Sequence, residues 1–364
     1  MKLNFTIAGL VLLLASRAAI GADTTAEIIA TLQQHYVDRE ALNAQKLNDA
    51  SVAGILKMLG TGARLLTADE ALSNSVPVIQ PNALTTELLT RVEVIQPDIG
   101  YIRVTDVVNE TAAALDGELK KFALAKVTGY VLDLRFADGT NFAAAAAVAS
   151  RFLPAGMELF TLKRSDSEPQ AYRTTAAPQS LAAELTATPL LLLVNAQTRG
   201  SAEALVGALR TQDRGIVIGG PTAGLPVAWQ DHALSDGRVL RLATAKIIFP
   251  KGSELFPAGI TPDILVKIDS KMEREAVFNV ASNITLTASL QPELKKHAFT
   301  EAALVKVFRG EEIETPALAL TNSTAGTTNA LPAVVEPVTA PARDVVLQRA
   351  VDVLKGLRVW QSWR

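Results

Sequence analysis

The sequence predicts an α/β protein built on a largely parallel sheet. Three observations carry this. Short apolar runs such as "TPLLLLVN" and "GIVIGG" are bounded by turn residues, as buried strands are. Helical patterns such as "ETAAALDGELKKFALAKV" and "SAEALVGALRTQ" alternate with them, the order that builds a parallel sheet with crossover helices. The length, 364 residues, allows a large core and two or three structural units.

The chain opens on "MKLNFTIAGLVLLLASRAAIGAD", with Lys2 ahead of an apolar run and small residues after it. Residues 1–22 have the layout of a secretory signal peptide, whose apolar run from Phe5 to Ala15 is too short to span a bilayer comfortably. The expectation is an exported protein, periplasmic or secreted, with no stable membrane span after cleavage; an uncleaved anchor is the alternative. Residues 23–72 read as a helical unit. "AEIIATLQQHY" places Ile28, Ile29, Leu32 and Tyr36 on one face, "SVAGILKMLG" repeats the pattern, and "GTG" stops it. Residues 73–97, with three prolines, read as a connector holding at most a short strand.

The α/β core is expected over 98–268. "IGYIRV", "GYVLDLRF", "MELFTLKR", "TPLLLLVN" and "GIVIGG" are its strands, and "NFAAAAAVASRFL" is a helix ended by "PAG". "VAWQDHALSDGRVLRLATAKIIFP" reads as a hairpin around an Asp-Gly turn. A helical extension follows over 269–314. Residues 315–342, rich in Pro, Thr, Ala and Asn, read as a flexible linker. Residues 343–364 form a last amphipathic helix that turns Val346, Leu347, Ala350, Val351, Leu354 and Leu357 toward a core.

Composition excludes several functions. Formal net charge is −2 and no basic stripe occurs, so nothing favours nucleic acid as a partner. With no cysteine, disulfides and thiolate zinc sites are ruled out. His35, His232 and His297 are too scattered for a histidine-rich metal site.

The blocks "IGYIRV", "VLDLRFADG", "NAQTRGSAEALVGAL", "VIGGPTAG", "DGRVLRLATAKIIFPKG" and "AGITPDI" occur in one order over about 170 residues. In that order they resemble the core of the C-terminal processing, or tail-specific, peptidases of family S41. The closing "RDVVLQRAVDVLKG" resembles the family's D-x-x-L-x-x-A helix, and the N-terminal helical unit is also similar. The resemblance implies a ClpP/crotonase-like α/β fold, a serine-type endopeptidase activity, no cofactor and no metal. It also implies a PDZ domain ahead of "IGYIRV". The 25 residues from Ser73 to Pro97 are too few for one.

The family works through a Ser–Lys dyad. A serine attacks the peptide carbonyl, a buried neutral lysine takes its proton, and backbone N–H groups hold the oxyanion. The serine motif resembles N-x-x-[ST]-A-S-A-x-E. Matching Asn195 and Glu203 at its ends puts Thr198 on the first hydroxyl position, Arg199 on the first alanine, Gly200 on the nucleophile and Ser201 on the second alanine. The lysine motif resembles G-E-x-T-[FY]-G-K-G and reads here "GGPTAGLP". Thr222 and Gly224 fit, but Leu225 stands at the lysine, 25 positions after Gly200, and Pro226 follows. The turn "LDLRFADGT" keeps Arg135 and Gly139 but has Thr140 where the family has a second glycine.

Neither Gly200 nor Leu225 can supply the dyad, so a degenerate peptidase that binds a peptide or protein segment in its former substrate groove is expected, with oligomerisation left open. Gly139, Ser201 and Gly224 are the candidate oxyanion and turn residues. Arg199, Thr198 and Thr222 are the candidate ligand-binding residues. Two other classes compete: an active peptidase using Ser201 as a displaced nucleophile, and a structural envelope component. Each candidate has a plain reading beside the functional one. Ser201 can hydrogen-bond a free N–H at the helix start. Arg199 can hold a carboxylate or phosphate, or pair with Glu203. Thr198 reads as structural, His232 beside Asp231 as a surface hairpin residue, and Lys246 as a lysine common in the family besides its base. Trp360 and Trp363 can touch a membrane surface or partner, or pack and fray. If the groove is intact, Gly200→Ser with Leu225→Lys is expected to restore some hydrolysis.

Overall fold

The computed structural model describes residues 23–36, 43–72, 88–95, 97–176, 182–278, 285–290 and 343–362. The expected signal peptide at 1–22, residues 291–314 of the expected helical extension, the expected linker at 315–342, and Trp363 lie outside them. The chain divides into two compact units, residues 1–75 with 230–242, and residues 76–229 with 243–364.

The first unit holds α1 (Asp23–His35), α2 (Ala44–Leu59), β1 (Ala63–Leu66) and α3 (Ala68–Leu72). Helix α2 begins where Asn43 Oδ1 accepts the Lys46 N–H at 2.8 Å, and ends at Gly60, whose φ of 57° suits a glycine. Helix α3 opens on a capping box. Thr67 N–H donates to Glu70 Oε2 at 2.8 Å, and Glu70 N–H donates back to Thr67 Oγ1 at 3.3 Å. The expected stripe on α1 is present, but Ile28, Leu32 and Tyr36 are exposed. Strand β1 corrects the all-helical reading of 23–72. Four residues carry no periodicity, and their partner lies far along the chain: Ala63–Leu66 pairs antiparallel with residues 239–242.

The second unit is organised by a six-stranded sheet. In chain order its elements are β2 (Leu89–Ile95), β3 (Ile99–Val104), α4 (Thr111–Leu124), β4 (Gly129–Asp133), α5 (Phe142–Ala149), β5 (Glu158–Arg164), β6 (Gln170–Arg173), α6 (Ala182–Ala187), β7 (Leu190–Val194), α7 (Ser201–Thr211) and β8 (Ile216–Gly219). Then come β9 (Val227–Ala233) and β10 (Val239–Ile248), whose residues 230–233 and 239–242 are counted with the first unit, and β11 (Ile264–Leu265), α8 (Ser270–Phe278), α9 (Leu286–Ser289) and α10 (Val345–Ser362). The sheet order is β11-β8-β7-β4-β3-β2, parallel except for β2 at one edge. Strand β9 pairs with β10, the expected hairpin, with Gly237 in its turn at φ 83°.

Alternate side chains of the strands face opposite ways. Ile102, Val104, Leu132 and Leu192 pack with Leu115, Leu119 and Phe122 of α4 and with the alanine-rich α5 and α7. Ile99, Tyr101, Val131, Leu191 and Leu193 pack on the other side with Val346, Leu347, Ala350, Val351 and Leu354 of α10. Both faces are therefore covered, which is why the strands read as unbroken apolar runs. The strand "MELFTLKR" is in a separate antiparallel sheet, paired with β6 and with residues 245–248 of β10. An apolar run identifies a strand but not its sheet.

Candidate functional site

The turn between β7 and α7 is fixed by two buried polar side chains. Asn195 Oδ1 accepts the N–H groups of Phe136 and Gln197, both at 3.0 Å, and its Nδ2 donates to Glu273 Oε2 at 3.1 Å. Thr198 Oγ1 accepts the Asn195 N–H at 3.0 Å and donates to the Leu134 carbonyl at 2.8 Å. Both residues thus tie this turn to the turn after β4, and Thr198 is fully buried with no face for a ligand.

Gly200 is the residue before α7, at φ 62° and ψ −130°. L side chains rarely adopt that backbone. A Cβ there would lie 2.1 Å from the Gly139 carbonyl oxygen and 3.0 Å from Asp138 Oδ1. The turn 137–139 runs directly against 199–201. Arg199 N–H donates to the Ala137 carbonyl at 3.0 Å, and Ser201 N–H to the Gly139 carbonyl at 2.8 Å. Gly139 N–H donates to Asp138 Oδ1 at 2.7 Å. The N–H groups expected to hold an oxyanion are therefore engaged by the chain's own acceptors.

Ser201 is buried, and its hydroxyl donates to the Val107 carbonyl at 3.0 Å, an acceptor that cannot act as a base. The expected bond to a free helical N–H is not made. Gly200 takes the capping position, so Ser201 is already the first helical residue, and a side chain there does not reach the N–H groups that a cap accepts. Arg199 does not make the pair with Glu203. Its Nε donates to Asp138 Oδ2 at 2.7 Å, not to Glu203. Asp106 lies in the same electrostatic neighbourhood: burial and then Asp138 push its carboxyl up, and Arg199 opposes them.

Glu203 organises the opposite wall. Its carboxylate accepts Thr222 Oγ1–H at 2.5 Å, Gly224 N–H at 2.7 Å and Leu225 N–H at 2.7 Å. Burial pushes its carboxyl up, while the bonds from Thr222, Leu225 and Gly224 oppose the rise. Thr222 also accepts the Ile260 N–H at 2.8 Å, so this hydroxyl is engaged on both sides. Gly224, at φ 72°, meets the Pro257 carbonyl where a Cβ would be, at 2.1 Å. Leu225 is half-buried beside this turn. Glu203→Ala is expected to cost about 2–3 kcal/mol, because three buried donors lose one acceptor. Glu203→Gln should cost less, and urea unfolding midpoints check both.

Residues 98–266 match the profile of peptidase family S41. This stretch, just under half of the chain, resembles family S41. The chain is 31% identical over 177 residues to a carboxy-terminal-processing protease of Bartonella bacilliformis, covering 48% of this chain and 40% of that protein. It is 27% identical over 206 residues to a carboxyl-terminal-processing protease of Synechocystis, covering 54% and 47%. The chain thus spans less than half the length of these curated relatives. Its fold is similar to that of a putative peptidase from Parabacteroides merdae, at TM-score 0.50 and 17% identity over 67% of this chain and 82% of that one.

The S41-like core joins two residues that lie far apart in the sequence. Arg135, fully buried after β4, is bidentate to Asp344 at 2.9 and 2.7 Å and also binds Asp133 at 2.6 Å. Burial works against the guanidinium charge, but Asp133 and Asp344 raise its pKa well above the ordinary value. Asp344 Oδ1 also accepts the Leu347 N–H at 3.0 Å, capping α10. This gives the D-x-x-L-x-x-A pattern its physical content: Asp344 caps and pairs, while Leu347 and Ala350 are buried. The quoted motifs "LDLR" and "RDVVLQRA" were the available signal, but nothing local links residues 209 positions apart.

Glu273 faces the same network at 3.9 Å from Arg135 Nη1, with Oε1 buried and making no hydrogen bond. Burial pushes its carboxyl up, against Arg135 and Asn195. Its contribution is therefore complete below the unfolded glutamate value of about 4.3 and declines as pH rises through the raised folded value. Glu273→Gln is expected to flatten that part of the pH profile, so wild type loses stability relative to the variant between pH 4 and neutrality. Urea midpoints for both proteins across that range check it.

The remaining candidates are engaged elsewhere or exposed. Asp231 accepts both Arg241 Nε and Nη2, at 2.7 and 2.8 Å, while His232 is exposed on β9. Lys246 Nζ pairs with Glu254 Oε2 at 2.7 Å. Trp360 is exposed on α10.

Proposed function

We propose that this chain is an exported, catalytically degenerate S41-family protein that acts by holding a peptide or protein segment, or a partner, rather than by cleaving it. The observation that carries the reading is the pairing of two losses with one closure. The matched nucleophile and base are Gly200 and Leu225, and the Ser201 and Gly139 N–H groups are bound to Gly139 and Asp138. Transition-state stabilisation needs donors aimed at the developing oxyanion, and donors already bonded within the chain do not provide it. Ser201 does not repair the loss, since its hydroxyl is buried on a carbonyl.

The reading is tested by incubating the protein with an unfolded polypeptide and with a peptide library. Fragments are read by mass spectrometry and retention by pull-down. The expected result is retention of peptides with no cleavage above that of Ser201→Ala. Cleavage that depends on Ser201 would favour the active peptidase, and neither cleavage nor retention would favour the structural component.

A further inference from the structure

Arg103 is the penultimate residue of β3 and is 5% exposed. Its Nη1 donates to the Val277 carbonyl at 3.0 Å, but Nε and Nη2 are buried with no hydrogen-bond partner. Its guanidinium lies 4.2 Å from the centroid of the Phe278 ring. Arg274 lies 5.6 Å from the same ring and 5.2 Å from that of Phe136, and its Nη2 donates to Gln197 Oε1 at 3.3 Å. The two rings meet edge to face at 5.1 Å.

The nearby acids make no hydrogen bond to either arginine, although Asp133 and Asp344 act on Arg103 through their charge. Asp133 gives its oxygens to Arg135 and Tyr101, Asp344 to Arg135 and the Leu347 N–H, and Glu273 turns toward Asn195 and Arg135. Stacking on a ring satisfies the face of a guanidinium and leaves its N–H edge for an acceptor. Buried donors left without one are costly. Phe136 also holds φ 63°, a backbone that a bulky side chain adopts only when its surroundings impose it. Arg103 lies next to the carboxyl end of β3, and Phe136 and Gln197 follow those of β4 and β7, the side where open parallel sheets commonly receive ligands.

We propose that Arg103 and Arg274 form a binding site for an oxyanion, a carboxylate or a phosphate, with Phe136 and Phe278 fixing the two guanidinium planes. The site is separate from the Gly200 turn and does not rest on the loss of the dyad. Planar forks of this kind match the two oxygens of such a group.

The test uses the full chain. Inorganic phosphate and, separately, acetate are titrated at constant ionic strength against chloride, and the thermal midpoint is followed, with calorimetry for affinity. A ligand that binds the folded state alone raises the midpoint progressively. The expected result is a rise with phosphate, acetate or both, the responding ion defining the class. Arg274→Gln should weaken the responding ion about tenfold or more, which corresponds to about 1.4 kcal/mol. Arg274→Lys should recover part of it, and Arg210→Gln, at an arginine paired with Asp263, should match wild type. Equal midpoints in phosphate, acetate and chloride would overturn the proposal, as would an unchanged response in Arg274→Gln.

Discussion

Asp344→Ala is expected to cost about 3–5 kcal/mol of stability, the range for breaking a buried pair and leaving its partner charged. Arg135 is fully buried and takes two of its bonds from this carboxylate, while Asp133 alone cannot satisfy the Nη1 edge. Burial on its own would raise Asp133, and Arg135, with Arg103 and Tyr101, holds its carboxyl below the usual range. The whole network is thus tuned to charged partners. The substitution also removes the α10 cap, worth about 1 kcal/mol where measured elsewhere. Guanidinium unfolding should show a lower midpoint. It should also show a smaller m value if α10 leaves the sheet, since m follows the surface exposed on unfolding. A variant as stable as wild type would mean that the pair is replaced by solvent without loss.

Gly200→Ser with Leu225→Lys is expected to yield no hydrolysis and a less stable protein. The motifs alone give some hydrolysis on condition that the groove is intact, and the 137–139 turn lies against the place the new serine would take. At φ 62° a serine carries about 1–3 kcal/mol of backbone strain. Its Cβ would stand 2.1 Å from the Gly139 oxygen, a backbone atom that no rotamer change removes, and crowding of this kind adds about 1–3 kcal/mol. Relief requires the 137–139 turn to withdraw, and withdrawal breaks its bonds to the Arg199 and Ser201 N–H groups. Thermal midpoints and a mass-spectrometric peptide assay on the double variant check both halves. Hydrolysis at wild-type stability would show that the turn retreats freely.

The parts of the fold legible in the sequence were those written in local pattern. "IGYIRV", "VLDLR" and "PLLLLV" are runs buried on two faces, and the helices between them repeat at helical spacing. The proposed placing of Gly200 and Leu225 at the dyad positions rests on Asn195, Glu203, Thr222 and Gly224, which are buried or hydrogen-bonded in the turns around them. What could not be read was long-range. Strand β1 depends on β10, and strand β5 on which sheet accepts it. The Arg135–Asp344 pair and the closure of 137–139 on 199–201 depend on tertiary approach, for which neither sequence neighbourhood carries a period or a spacing. The Arg199 partner was missed for the same reason: the neighbour at helical spacing, Glu203, is turned inward to the 222–225 turn, leaving Asp138 as the acid within reach.

The proposed degeneracy of the S41-like core is tested most directly with a serine-reactive fluorophosphonate probe on the full chain, read by intact mass and site mapping. The account predicts no adduct in wild type, because Ser201 Oγ is buried on the Val107 carbonyl and the Ser201 N–H is bound to Gly139. A stoichiometric adduct on Ser201 that disappears in Ser201→Ala would contradict it.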